Sequence, residues 1–273
     1  METLWLVNGR STGVDPADRG LAYGDGLFET MGAVDGRIRW LDYHLERLVS
    51  GCRRLAIEPP DSNVLRAEIA AHCPRVGRFV VKLIVTRGPG ERGYRPPAAA
   101  KPTRILGISD WQLYPAAHYS RGIRVRVCAL RIGVAPALAG LKHLSRLEHV
   151  LAQLELREHD VEQGLLLDTG GYVVGGSSSN VFAVRGAQLL TPSVTRHGVA
   201  GVMRRVVLET ARQAGLTPRE VDLTLEDLQA ADELFMANSL FGIWPVARLD
   251  ERPFPPGPAT RRLMQKLGFD ADA

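Results

Sequence analysis

Cysteine is nearly absent from this 273-residue chain: Cys52, Cys73 and Cys128 are far apart and odd in number. No Cys-x-x-Cys pair occurs, so neither a disulfide framework nor a zinc ribbon is expected. Each thiol falls in an apolar pattern, as a small buried hydrophobe would. The seven histidines show no His-Glu-x-x-His and no paired ligand spacing, so no metal is expected. Long apolar runs are also missing, and none approaches the roughly 18 residues that a bilayer span requires. Glu2 stands where a secretory leader carries basic residues, and the apolar run after it is short; a cytoplasmic protein without membrane contact is expected. Aromatic residues are only 6% and the net charge of +4 is scattered, which argues against a nucleic-acid surface and fits a small anionic ligand. Lysine is rare. Of 34 basic residues only Lys82, Lys101, Lys142 and Lys266 are lysines, leaving 30 arginines, so each lysine invites a question.

What is present is ordinary for a globular protein, with 45% hydrophobic and 23% charged residues and a length that suits one or two domains. The first part reads as mixed α and β. Strands are expected at Leu4–Val7, Gly26–Met31, Phe79–Thr86 and Arg104–Ser109, with turns at Asn8-Gly9 and Asp35-Gly36. Leu41, Leu45, Leu48, Cys52 and Leu55 recur at helical spacing, and a second helix is expected from Asp61-Ser62 to just before Pro74. The pattern lapses after Trp111, which divides the chain into an N-terminal α/β domain (1–112), a linker (113–121) and a C-terminal domain (122–273). In the latter, a strand is expected at Ile123–Leu130, and Ser145-Arg-Leu-Glu148 reads as a capping box opening a helix with Leu147, Val150, Leu151 and Leu154 on one face. Strands follow at Gly164–Asp168, Tyr172–Val174, Asn180–Val184 and Gln188–Thr191. A helix from Val202 to Gln213, strands at Glu220–Leu223 and Glu233–Met236, and a helix after Pro258 complete the pattern.

Three short segments invite a chemical reading. Gly88-Pro-Gly90-Glu-Arg-Gly93 matches a dinucleotide fingerprint by letter, but that motif must open a helix, and Tyr94-Arg-Pro96-Pro97 forbids one. A mobile, arginine-bearing surface loop is expected instead. Gly198-Val-Ala-Gly201 lies at the start of a helix, where free N–H groups and the helix dipole suit phosphate; an ordinary strand-to-helix turn has the same pattern. Gly175-Gly-Ser-Ser-Ser-Asn180 could equally be a backbone cradle or a plain loop. Lys142 follows an apolar stretch and precedes a helix. Partly apolar surroundings would make it nucleophilic, whereas a head reaching solvent would leave it inert.

Five motifs occur in order: Asp18-Arg-Gly-Leu-Ala-Tyr-Gly-Asp-Gly-Leu-Phe-Glu-Thr30, His44-Leu-Glu-Arg47-Leu, Thr86-Arg-Gly-Pro-Gly-Glu-Arg-Gly-Tyr94, Gly140-Leu-Lys-His-Leu-Ser-Arg-Leu-Glu148 and Gly176-Ser-Ser-Ser-Asn180. Together they resemble the class-IV aminotransferase superfamily of fold-type IV pyridoxal-phosphate enzymes, across nearly the whole chain. The resemblance implies a mixed α/β (α+β) homodimer subunit of two domains, the C-terminal one larger and richer in β, with pyridoxal 5'-phosphate held between them. It makes Lys142 the cofactor-bearing lysine and general base, and Arg47 a phosphate ligand together with Val199, Ala200 and, less closely matched, Ser239. Ser178 and Ser179 line the cofactor by the same match. Arg92 and Tyr94 correspond to loop positions that bind the substrate carboxylate near the neighbouring subunit's site, with Arg87 as either an alternative or an ion-pair residue; Lys82 reads as structural, and Lys101 and Lys266 as solvated.

Within the family, the motifs lean towards the branch that eliminates pyruvate from 4-amino-4-deoxychorismate to give p-aminobenzoate, and away from the D-amino-acid and branched-chain transaminases. Thr30, Tyr94 and water remain open as the acid for the leaving pyruvate. Two positions depart from the family pattern. Ser145 replaces an asparagine, and Gly175 replaces the glutamate that bonds the cofactor's pyridine nitrogen. Without that carboxylate the cofactor ring is a weaker electron sink. Elimination tolerates this better than transamination, because aromatisation draws electrons away as the proton leaves. A protein that binds the cofactor without efficient catalysis is the remaining reading, and a glutamate restored at 175 is expected to speed elimination where it fits.

Overall fold

The computed structural model describes residues 3–269, so Glu2 lies outside the described residues. The chain divides into two units. One runs to Gln112 and takes in Leu141–Ser145; the other is Leu113–Gly140 with the chain from Arg146 onward. The second therefore does not run unbroken from residue 122, because the five residues around Lys142 belong with the first.

The first unit contains β1 (Leu4–Val7), α1 (Arg19–Tyr23), β2 (Gly26–Val34), β3 (Arg37–Ile38), α2 (Leu41–Arg54), α3 (Ser62–His72), β4 (Arg78–Thr86) and β5 (Thr103–Asp110). Its strands form one antiparallel sheet in the order β1-β5-β4-β2-β3. Asp35 and Gly36 both take positive φ (48° and 74°), the turn geometry that matches the twist of the β2–β3 hairpin. Alternation along β2 and β4 sends Leu27, Met31, Val81, Leu83 and Val85 to a core face, where Leu45, Leu48 and Cys52 of α2 and Leu65 and Ile69 of α3 meet them. Each fully buried leucine contributes about 1.5–3 kcal/mol. Asp61 caps α3 by accepting from the Asn63 amide, and Gly51 lets α2 lie close on β2, since a Cβ there would stand 2.8 Å from Leu27 Cδ1. Cys52, Cys73 and Cys128 are buried and free, and burial pushes the Cys52 and Cys128 thiols up to about 11.

The second unit contains α4 (Ala116–Ser120), β6 (Ile123–Ile132), α5 (Leu147–Glu155), β7 (Gln163–Asp168), β8 (Val173–Gly176), β9 (Asn180–Arg185), β10 (Gln188–Pro192), α6 (Val202–Ala211), β11 (Thr217–Val221), α7 (Leu225–Gln229), β12 (Glu233–Asn238), β13 (Gly242–Leu249), β14 (Arg252–Pro253) and α8 (Pro258–Leu267). Its mixed sheet has the order β11-β10-β9-β12-β13-β6-β7-β8, with β14 on β13. The stretch read as a linker carries α4, whose neighbour Tyr114 packs edge-on against Trp244. β13 went unread because Pro245 interrupts its pattern, yet it lies between β12 and β6.

The capping box at Ser145 does not form. Helix α5 begins at Leu147 behind Arg146, with no side-chain cap, because Ser145 belongs to the first unit and its Oγ occupies the space a Cβ on Gly24 would need. The face bearing Leu147, Val150, Leu151 and Leu154 is exposed, at 70, 52, 46 and 43%, and α5 buries Ala152 instead. A capping box does form at Thr224 and Asp227, at the start of α7.

Candidate active site

In the first unit, the segment around Lys142 lies along the start of β2. The Phe28 amide donates to the Lys142 carbonyl (3.0 Å) and the Leu144 amide to the Gly26 carbonyl (2.9 Å). Gly26 permits this approach, since a Cβ there would stand 2.5 Å from the Val85 carbonyl oxygen and 2.9 Å from Leu144 Cδ1. Lys142 is half-buried, and its Nζ stands 4.2 Å from the centre of the Phe28 ring. Lys82, paired across the sheet with Thr30, puts its own Nζ 5.4 Å from the same ring centre. No carboxylate of the described residues pairs with Lys82. The sequence reading set Lys82 aside as structural. The cue available there was its register: Phe28, Thr30 and Lys82 share the half-buried face opposite the core.

Glu29 points the other way, and it too escaped the sequence reading. Its carboxylate accepts from Arg47 through both Nε (2.8 Å) and Nη2 and from His44 Nδ1 at 2.6 Å, with Glu29 only 1% and His44 0% exposed. Burial pushes the Glu29 carboxyl up, but the Arg47 charge and the bonds from His44 and Arg47 outweigh it and hold the group at about 2. Burial pushes His44 below its ordinary value, against the pull of Glu29. An ionised carboxylate only accepts, so neutral His44 donates through Nδ1, and its buried Nε2 has no hydrogen-bond partner among the described residues. Arg47 is thus a cation fixed by one edge of its guanidinium. Glu29 takes the Nε–Nη2 edge of that guanidinium.

Arg92 and Tyr94 sit apart from this cluster, exposed on the loop after β4, whose bonds run to α1. Arg87 is an ion-pair residue: it forks onto Asp25 (2.7 and 3.0 Å) and donates to the Leu55 and Ala56 carbonyls (2.8 and 2.7 Å).

The second unit gathers its candidates by a different chemistry. Asn180 donates to the Val199 carbonyl (3.0 Å), and the Ala200 amide to the carbonyl of Gly140, two residues before Lys142 in the chain (3.0 Å). Helix α6 starts behind Gly201 with no side-chain cap, so its first N–H groups are open to an anion. A Cβ on Gly201 would stand 2.0 Å from Asn180 Oδ1, so glycine is needed for this approach. Gln163 accepts from the hydroxyls of Ser177, Ser178 and Ser179 at 3.1–3.3 Å, so these protons are already directed inward. Asn238 donates to the Ser178 carbonyl and accepts from the Leu240 and Phe241 amides, which ties the turn bearing Ser239 to the serine loop. Gly175 has φ +154°, and a Cβ would stand 3.1 Å from the Ser179 carbonyl oxygen; a glutamate does not fit there without a shift.

A family model described as amino-transferase class IV matches residues 26–249, and the chain belongs to this family. A crystal structure of 4-amino-4-deoxychorismate lyase from Pseudomonas aeruginosa is similar over 99% of this chain and 100% of that one, with 48% identity and a TM-score of 0.93. Among curated relatives, an aminodeoxychorismate lyase from Vibrio harveyi is 34% identical over 97% of this chain and 99% of its own. A putative branched-chain-amino-acid aminotransferase from Methanocaldococcus jannaschii is also 34% identical, over 96% of this chain and 92% of its own.

Proposed function

We infer that this protein is a lyase that releases pyruvate from 4-amino-4-deoxychorismate and leaves p-aminobenzoate. The observation that carries the reading is the full-length likeness to the Pseudomonas aeruginosa lyase. Pyridoxal 5'-phosphate suits the donors of each unit taken by itself: in the first, Lys142 for its aldehyde carbon and Arg47 for its phosphate; in the second, the uncapped start of α6 for a phosphate, the Ala200 amide being already bonded to the Gly140 carbonyl. Ser239 and the backbone of Ser178 and Ser179 supply further donors. Gly175 has no carboxylate to accept from the pyridine N–H, which favours elimination over transamination. When bound, the cofactor supplies the electron sink that acidifies the substrate's ring proton.

The work of the chain itself is to hold the substrate and move protons. Lys142 Nζ acts as general base on the hydrogen of the amine-bearing ring carbon. The C–H electron pair enters the ring as it becomes aromatic, and the ring C–O bond breaks with its pair on the enolpyruvyl oxygen. That enolate takes up one proton to become pyruvate. Thr30, on the Phe28 and Lys82 face, is the donor we favour over the exposed Tyr94. Lys82 supplies a cation for one of the substrate's two carboxylates; Arg92, apart from it on an exposed loop, supplies one near the neighbouring subunit's site.

We further propose a cytoplasmic homodimer. Among the described residues no helix is long and apolar enough to cross a membrane. The exposed Leu147, Val150, Leu151 and Leu154 stripe repeats at helical spacing and can pair with itself across a two-fold axis in a second copy. The test is a coupled reaction: purified protein with chorismate, glutamine and an aminodeoxychorismate synthase should produce p-aminobenzoate. Spectral conversion of the bound cofactor by amino acids, without p-aminobenzoate, would favour the transaminase to which the Methanocaldococcus relative points.

A further inference from the structure

The glycine motif that fails as a dinucleotide fingerprint has a physical role. The Arg19 amide donates to the Gly88 carbonyl (3.0 Å), and the Gly90 amide to the Ala17 carbonyl (3.1 Å). Two of the glycines make room for a neighbour, and the third takes a backbone conformation that suits glycine. A Cβ on Gly88 would stand 1.9 Å from the Lys101 carbonyl oxygen, one on Gly90 would stand 2.9 Å from Arg19 Cδ, and Gly93 takes φ +107°. The far end of the loop is held by a buried arginine. Arg19 is 3% exposed; its Nη1 donates to the Gly93 carbonyl (2.8 Å), its Nη2 to the Tyr94 carbonyl (2.9 Å) and its Nε to Asp25 (2.9 Å). Tyr23 accepts from the Gly93 amide at 3.0 Å and meets the Tyr94 ring at 5.4 Å. Asp25 is in turn fixed by Arg87.

We propose that Arg19 is a positioning residue: by forking onto two consecutive carbonyls it holds the 88–94 loop in one shape, so that Arg92 and Tyr94 meet the substrate carboxylate already oriented. The loop expected to be mobile is pinned at both ends. A planar fork reaches two carbonyls and a carboxylate from three separate nitrogens, whereas the three donors of an ammonium radiate from one atom. Arg92 itself is exposed and has no carboxylate partner among the described residues, which suits a cation reserved for a ligand. This inference rests on the reading of Arg92 and Tyr94 as substrate contacts. Ordering the loop before binding removes an entropic cost from the substrate step alone, so Arg19 should act on KM and leave kcat and cofactor binding alone.

The test uses the cofactor-loaded protein with Arg19→Lys and Arg19→Ala. Asp25 keeps its two bonds from Arg87 in both variants, so the anchor survives. The expected result is a KM roughly tenfold higher, with kcat and cofactor affinity near the parent values. Tryptic cleavage at the Arg92–Gly93 bond should also be roughly tenfold faster, as the loop opens more often. An unchanged KM and cleavage rate would overturn the assignment. A parallel fall in kcat and cofactor affinity, or failure of both variants to fold, would overturn it as well, since Arg19 would then hold the fold rather than the loop. If the parent protein makes no p-aminobenzoate the proposed function fails, while the cleavage rates still judge whether Arg19 holds the loop.

Discussion

The two units offer an anion opposite kinds of welcome. The first does so with charged side chains: Lys142 and Lys82 over one ring, and Arg47 fixed by a carboxylate that is itself buried. The second uses neutral groups, chiefly the open backbone at the start of α6 and loops fastened by Gln163, Asn180 and Asn238. Charged groups can take and give protons, and they need ion pairs to stay in place. Backbone donors cannot change protonation, and they hold their geometry because the fold leaves them no alternative. The contrast teaches that the first unit should respond to substitution through charge and pH, and the second through shape.

The largest test of this contrast is Lys142→Ala. Loss of the general base should lower turnover by roughly 10²–10⁴-fold. Borohydride reduction of the loaded parent protein should put a pyridoxyl group on Lys142, and a label on Lys82 would break the assignment. Next comes acid. The Glu29 carboxyl sits at about 2 against an ordinary 4.5, so the stability it contributes is complete above pH 4.5 and is lost as the pH falls towards 2. For this buried group the contribution is about 3 kcal/mol. Urea unfolding should show that decline in the parent and a flatter acid profile in Glu29→Gln. Identical profiles would remove Glu29 from the account.

Arg47→Ala should weaken pyridoxal phosphate by roughly ten- to a hundredfold and leave pyridoxal, which has no phosphate, nearly unchanged. Equal losses for both ligands would mean that Arg47 supports the fold rather than the phosphate. The smallest effect belongs to the second unit. Gly175→Glu must force a side chain into a backbone conformation that L-residues rarely adopt, against Ser179. A stability loss of about 1 kcal/mol is expected, with no gain in elimination rate. Faster production of p-aminobenzoate by that variant would show that the loop yields and that a carboxylate there still helps.

Some of this was legible in residues alone because it depends on local chemistry. The α2 stripe of Leu45, Leu48 and Cys52, the Asp35-Gly36 turn and the Asp61 cap follow from periodicity, positive φ and side-chain reach, and each lies within a few residues of its cause. The rarity of lysine singled out Lys142, and the start of α6 could be read as a place for an anion because a helix leaves its first N–H groups open wherever it lies. The tertiary structure decided the rest. Ser145 cannot cap α5 because a different part of the chain, Gly24, claims its position. Pro245 sits inside a sheet because β6, more than 100 residues upstream, closes β13 on the side away from its hairpin partner β12. Glu29 reads as one residue of a strand until α2 brings Arg47 and His44 against it. Likewise, the glycines of the 88–93 motif make sense only once Arg19, some 70 residues upstream, is seen holding the loop. The sequence by itself determined most of the elements, though not β13 or α4, and which groups can do chemistry, since these depend on neighbours a few bonds away. Which of those groups are fixed, paired or left open depends on contacts between distant segments, and these exist only once the chain has folded.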